Sequence, residues 1–235
     1  MVVLIEQVYD YGFWGAVLAS AAFFTLFALA FLRPRGRGEW RSMGVWTAFF
    51  VALFTEMFGF PLTIYLLTSL LGDRYPTLFP FAHAKGHLWV TLLGGGRGTV
   101  WAFHLLSNGL ILVGLVGLGA GWWQIHRGRG RLVTTGIYRW VRHPQYTALF
   151  LIVIGFLIQW PTLPTLAMAP VLLWAYARLA RQEERLLSAE FAEVYAAYAS
   201  RTPAFVPGRV RREPDPQLAA LSGSVSPAIP PGPRT

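Results

Sequence analysis

Two uncharged runs constrain this chain more than anything else in it. Phe13 to Leu32 is 20 residues without a charge, and Tyr146 to Ala177 is 32. A helix needs about 20 apolar residues to cross the hydrocarbon core of a bilayer. Between them lie Met43 to Leu71, interrupted by Glu56 and Pro61, and Thr99 to Trp123, which ends in a Trp pair suited to a membrane interface. Only 13% of the 235 residues are charged, against roughly 25% in a soluble domain. Mean hydropathy is +0.46. These properties predict an all-helical integral membrane protein.

Prolines set the number of helices. Pro161 and Pro164 flank a Trp-Pro-Thr-Leu-Pro stretch in the middle of the 32-residue run, and one straight helix would be broken there. Two shorter helices folded as a hairpin, entering and leaving on the same side, fit better. The expectation is therefore about five transmembrane helices. A charged amphipathic helix, Arg178 to Ser200, follows the hairpin. From Glu213 onward Pro, Gly and Ser dominate, which predicts a disordered tail. Three regions result: residues 1–123, a three-helix membrane region; 124–207, carrying the candidate site; and 208–235, the Pro-rich tail.

Orientation follows from the basic residues. The N-terminus and the Gly72–Gly98 loop hold three, namely Arg74, Lys85 and Arg97, while the remaining 17 fall on the other side. Lys and Arg concentrate on the cytoplasmic side of membrane proteins, so the N-terminus is expected outside and the C-terminus in the cytoplasm. Met1 to Gly12 carries Glu6 and Asp10 and no base, the reverse of a signal-peptide n-region. The net charge of +9 is explained by this distribution. A nucleic-acid-binding role is set aside, because the arginines follow topology and no groove-reading or stacking motif accompanies them. There are no cysteines, which excludes thiolate metal sites and cysteine nucleophiles.

The chemistry concentrates in Gly136 to Tyr146, Gly-Ile-Tyr-Arg-Trp-Val-Arg-His-Pro-Gln-Tyr. Two arginines, a histidine and two tyrosines abut a bilayer-length apolar run, and polar groups in that position are costly unless used. A second cluster follows the run: Arg178, Arg181, Glu183 and Glu184, then Phe191, Tyr195, Tyr198 and Pro203. Topology puts both clusters at the cytoplasmic face. Adjacent carboxylates suit a ligand with hydroxyls and a positive charge, and arginines suit a carboxylate or phosphate. Apart from Arg142, the connector arginines read as headgroup anchors, and Tyr195 and Tyr198 as packing residues.

Gly-Ile-Tyr-x4-Arg-His-Pro-x-Tyr, then Glu-Glu about forty residues on, then Phe-x3-Tyr-x2-Tyr-x4-Pro, resembles the isoprenylcysteine carboxyl methyltransferase family. The wider group includes the membrane phospholipid N-methyltransferases. The resemblance covers roughly Gln124 to Pro207. It implies a methyltransferase that binds S-adenosylmethionine at the cytosolic face and releases S-adenosylhomocysteine. Cofactor contacts are implied at Gln124, Leu132, Val133, Tyr138, His143, Pro144, Gln145 and Tyr146, and at one or both of Glu183 and Glu184. The phospholipid branch uses a Gly-x-Gly element in an earlier helix, which Gly117-Leu118-Gly119 or Gly119-Ala120-Gly121 would supply. The family places a substrate-binding arginine about four residues before the cofactor glutamate. Leu179 or Ala180 stands there in this chain, so Arg178, one turn deeper toward the membrane, is the candidate catalytic residue.

Carboxyl O-methylation of a lipidated or apolar acceptor is the leading expectation, with a phospholipid amine or a small thiol as alternative acceptors. A carboxylate needs no general base, whereas an amine or thiol must lose a proton. A small transporter or scaffold is the reading from another class, motivated by Glu56, His104 and Asn108 within the spans. Transporters usually show internal repeats, and none is evident. Glu56 is expected to line the acceptor cavity or, with more weight, to pair with His104 or Asn108. His83 and His87, spaced i, i+4, are read as a loop feature and not as a metal site, since no further ligand lies nearby.

Overall fold

The computed structural model describes residues 11–32, 37–71, 88–93, 96–128 and 131–208. Glu6 and Asp10, residues Arg33 to Gly36, His83, Lys85 and His87, Arg129 and the Pro-rich tail lie outside the described residues. Every described element is helical: α1 (Trp14–Leu32), α2 (Arg37–Phe54) running into a π-helical turn (Thr55–Gly59), α3 (Leu62–Leu71), α4 (Leu88–Leu92), α5 (Arg97–Gly128), a 3-10 turn (Gly136–Arg139), α6 (Pro144–Gln159) and α7 (Leu163–Arg201).

Four of these are long and apolar enough to cross a membrane: Trp14–Phe31, Glu39–Gly59, Gly98–Gly128 and Leu163–Arg201. The sequence reading expects about five. The difference falls on α6, which is 16 residues, or about 24 Å at 1.5 Å per residue, short of the ~30 Å core. The hairpin break is where the prolines put it, between Gln159 and Leu163. Pro164 is accommodated because it sits in the first turn of α7, where its missing N–H has no helical partner to lose.

Chain contacts divide the protein into two compact units, residues 1–115 with 150–176, and residues 116–149 with 177–235. In the first unit, α1 packs on α2 through aromatic rings. Phe24 stacks on Phe50 at 4.5 Å, and Phe156 meets Phe24 edge-on at 5.1 Å. Such pairs contribute about 0.5–1.5 kcal/mol each. The buried Trp46 indole donates to the Phe24 carbonyl at 3.1 Å. Gly155 lets α6 press on α5, since a Cβ there would lie 2.7 Å from Ile111 and 3.0 Å from the Ser107 carbonyl.

The two proline breaks of this unit are joined by hydrogen bonds. Glu56 is buried, and its Oε2 accepts from the Thr63 backbone N–H at 2.7 Å, so it caps α3 after the interruption at Pro61. Thr63 Oγ1 in turn accepts from the Leu163 N–H at 2.8 Å, at the start of α7. Thr162 and Thr165 then cap α7 reciprocally: Thr162 N donates to Thr165 Oγ1 at 3.1 Å and Thr165 N to Thr162 Oγ1 at 3.2 Å. The expected partners of Glu56 are not used. His104 is bonded to the Val100 carbonyl one turn back, and Asn108 is exposed. The hydrogen bond of Glu56 goes instead to a backbone N–H seven residues away.

Removing that carboxylate strands the buried Thr63 N–H. Glu56→Ala should therefore destabilise the detergent-solubilised protein by about 1–3 kcal/mol, measured by thermal or denaturant unfolding. Glu56→Gln keeps an acceptor oxygen and should cost distinctly less; equal losses for the two would show that the cap is not what Glu56 provides.

Candidate functional site

The second unit assembles both sequence clusters. Its centre is the Glu184 carboxylate, and three donors converge on one oxygen. Arg142 reaches Glu184 Oε1 with Nε at 3.0 Å and Nη2 at 2.8 Å, and His143 Nε2 lies 2.9 Å from the same atom. His143 is buried, with 3% of its side chain exposed. Its other ring nitrogen, Nδ1, is 3.8 Å from Glu183 Oε2. Glu183 is the looser partner, 45% exposed against 26% for Glu184.

Position follows from local chemistry. Pro144 opens α6, where proline is favoured, and this leaves Arg142 and His143 just ahead of the helix with unspent N–H groups. Arg142 N donates to the Pro203 carbonyl at 2.9 Å and His143 N to the Ala204 carbonyl at 3.0 Å. Thr147 Oγ1 donates to the Phe205 carbonyl at 2.8 Å. Arg142 Nη1 also caps the far end of α7, donating to the carbonyls of Ala199 and Thr202, each at 2.8 Å. The Tyr198 hydroxyl closes the loop on the Tyr138 carbonyl at 2.6 Å. The segment 202–205 is a structural clamp on the Arg-His-Pro motif. The only sequence signal for it is the terminal Pro203 of the aromatic motif.

The remaining candidates gather on α5 and the 3-10 turn. Gln124 Oε1 accepts from the Ile137 N–H at 3.3 Å. Gly136 has φ +62°, and a Cβ there would collide with the Gln124 carboxamide, so the position requires glycine on both counts. A Cβ on Gly121 would lie 3.0 Å from Gln145 and 3.6 Å from the Tyr138 hydroxyl. Tyr138 is buried, which, with the Glu183 carboxylate nearby, pushes its hydroxyl up so that it stays protonated. Val133 packs against Gly128, and Leu132 beside it is half-buried. Tyr146 lies 5.8 Å from the His143 ring, centre to centre. Arg178 is exposed on α7.

One element escapes the sequence reading. α7 spans Leu163 to Arg201 as two helical stretches joined at a kink at Ala192, with φ 36° and ψ −110°. Alanine is the strongest helix former, so nothing local announces a bend. Among the described residues no group of three His, Asp or Glu is placed to hold a metal.

Residues 104–194 match the family model for phospholipid methyltransferase, which bears out the resemblance read from the motifs. The match takes in α5 from His104 onward, the Arg-His-Pro motif and both glutamates. The cobalt-zinc-cadmium resistance protein CzcN of Cupriavidus metallidurans is 36% identical over 122 residues, which cover 49% of this chain and 56% of that protein. The nickel-cobalt-cadmium resistance protein NccN of Alcaligenes xylosoxydans xylosoxydans is 36% identical over 117 residues, covering 46% and 54%. The chain thus spans about half the length of the curated relatives it matches. No solved structure matches it.

Arg142 holds two backbone carbonyls as well as Glu184, and a lysine cannot reproduce that fork. Arg142→Lys should destabilise the protein by about 1–3 kcal/mol, read from unfolding in detergent. Gly136→Ala should cost about 1–3 kcal/mol from backbone strain alone, whereas Ala192→Gly should raise the unfolding temperature.

Proposed function

We propose that this chain is an integral membrane methyltransferase that uses S-adenosylmethionine to methylate a lipidic or small apolar acceptor, with carboxyl O-methylation as the reaction. The family match supports methyl transfer in a membrane setting. The observation that carries the finer reading is the unequal use of the two glutamates. Glu184 is committed to Arg142 and His143, so it acts as the strut that fixes the motif. Glu183 keeps acceptor capacity, and it is the carboxylate we assign to the ribose diol of the cofactor.

The donor set fits such a ligand. Glu183, the Gln145 carboxamide and the protonated Tyr138 hydroxyl supply acceptors and a donor, while Tyr146, Leu132 and Val133 offer apolar surface for adenine. Gln124 and Pro144 shape the turn that presents them. The cofactor, when bound, supplies an electrophilic methyl on a sulfonium. The protein's part is to position it and exclude water.

The charge change of the proposed reaction favours a carboxylate acceptor. The His143 ring is 3% exposed, with Nε2 bonded to Glu184 and Nδ1 facing Glu183 at 3.8 Å, beyond a hydrogen bond, so Nδ1 is the one nitrogen open to service as a general base, and it is buried. A carboxylate acceptor needs none, and its charge cancels that of the sulfonium as the methyl moves, which a site of low dielectric favours. Arg178, exposed where the uncharged run ends, is assigned to that carboxylate. The second reading is N-methylation of a phospholipid amine, favoured by the description of the matching family. The basic distribution supports a multi-pass topology with the N-terminus outside, the site and C-terminus cytoplasmic, and the charged second half of α7 beyond the membrane.

Calorimetry on the detergent-solubilised protein should show binding of S-adenosylmethionine and S-adenosylhomocysteine. Glu183→Gln should weaken it about tenfold without lowering the unfolding temperature, whereas Glu184→Ala and His143→Ala should lose binding and stability together. Heat from neither ligand would sink the proposal. Incubating membranes with methyl-labelled S-adenosylmethionine then separates the acceptors. Label released as methanol by mild base is a methyl ester, and base-stable label in the lipid fraction is an N-methyl group.

A further inference from the structure

The two proline breaks of the first unit enclose a small cavity. Glu56, Pro61, Thr63, Trp160, Pro161 and Thr162 are among the residues that line it, and all belong to that unit. Its volume is about 10 Å³, room for one water-sized occupant.

Glu56 is the one charged residue in Met43 to Leu71. It is 4% exposed, and it makes no ion pair among the described residues. Its Oε2 accepts from the Thr63 N–H, and the Thr63 hydroxyl lies against the same carboxylate. Oε1 is buried and has no hydrogen-bond partner among the described residues. A carboxylate buried within an apolar membrane segment is costly unless a side chain, a proton or a metal ion neutralises it.

The geometry around Oε1 separates these cases. A proton on Oε1 would make an O–H buried without an acceptor, and one on Oε2 would face the Thr63 N–H. A water beside Oε1 would satisfy its lone pairs and leave the charge in place. A small cation beside Oε1 meets both needs, and one carboxylate calls for a monovalent ion. The wall offers further oxygens to such an ion. Thr63 and Thr162 carry hydroxyls, and the carbonyl of the buried Pro161 accepts no hydrogen bond among the described residues. Carbonyls exposed where a membrane helix is interrupted are a recurrent source of Na⁺ ligands.

We propose that this cavity binds a single dehydrated monovalent cation of the size of Na⁺, held by Glu56 Oε1 together with oxygens of Thr63, Pro161 and Thr162. The ion fastens the break after α2 to the break before α7, alongside the hydrogen bond from the Leu163 N–H to Thr63 Oγ1. The site is independent of the methyltransferase reading.

The test follows thermal unfolding of the full chain in a neutral detergent, near neutral pH and at fixed chloride. Na⁺ is exchanged stepwise for N-methyl-D-glucamine, a cation too large for the cavity. The unfolding temperature should rise by about 3–10 °C once Na⁺ exceeds its Kd by about 10–100-fold. Glu56→Gln keeps an acceptor for the Thr63 N–H but removes the charge, so its unfolding temperature should not respond to Na⁺. Equilibrium binding of radiolabelled Na⁺ should saturate at one ion per chain and disappear in Glu56→Gln. If that variant fails to fold, the labelled ion decides on the wild-type protein: one per chain supports the site and none overturns it. A wild-type unfolding temperature indifferent to Na⁺, as a protonated Glu56 would give, or an undiminished response in Glu56→Gln, also overturns it.

Discussion

A helix broken inside a bilayer frees backbone groups that have no water to bond, and each must find a partner within the protein. That requirement organises the first unit. Pro61 and Pro161 each interrupt an apolar run. The groups they free are served by one short chain of bonds, from Glu56 to the Thr63 N–H and from the Thr63 hydroxyl to the Leu163 N–H. A carboxylate within a span looks like a catalytic or transport residue. Here one of its oxygens caps α3, while Oε1 is buried with no hydrogen-bond partner among the described residues, and the aromatic cluster around Phe24, Phe50 and Phe156 packs the same unit.

The same requirement, met differently, builds the second unit. The N–H groups ahead of α6 find the carbonyls of Pro203 and Ala204, and the carbonyls at the end of α7 find the Arg142 guanidinium. Arg142 then brings a charge to Glu184 that is largely sheltered from solvent, and His143 reinforces it from the buried side. Three donors on one oxygen fix the carboxylate, and through it the register of α7 against the motif. The most conspicuous charged pair in the sequence pattern is thus spent on architecture. Its neighbour Glu183 is less buried and, at 3.8 Å from His143, stands outside this set of bonds.

Legibility in the sequence divides along the same line. Apolar runs and prolines are local signals, and they place α1, the break between α6 and α7, and the two interruptions near Pro61 correctly to within a few residues. The shortness of α6 was hidden because the uncharged run continues through the break, so a run counted in residues overstates the helix. The pairing of Arg142 with Glu184 spans 42 residues, and periodicity carries no such information; only the ordered motifs brought the two together. Gly136 was legible as part of a motif, while its reason, a positive φ beside Gln124, is a tertiary fact. The bend at Ala192 was invisible because alanine opposes it locally, and the energy for it comes from the contacts made by Tyr195, Tyr198 and the 202–205 segment.

The burial of His143 bears on chemistry as much as on folding. A histidine beside a reactive ligand would ordinarily be the first candidate for a proton acceptor. This one is 3% exposed, with Nε2 bonded to Glu184 and Nδ1 3.8 Å from Glu183, beyond a hydrogen bond. Turning the ring to present Nε2 would break the bond that holds Glu184, and with it the strut under the motif, so only the buried Nδ1 can take a proton without disturbing it. Under the proposed methyl transfer, a nucleophile that arrives ionised asks nothing of this ring. A carboxylate satisfies that condition without further groups. In the proposed reaction it would also gain from a site of low dielectric, because two opposite charges vanish as the methyl is transferred.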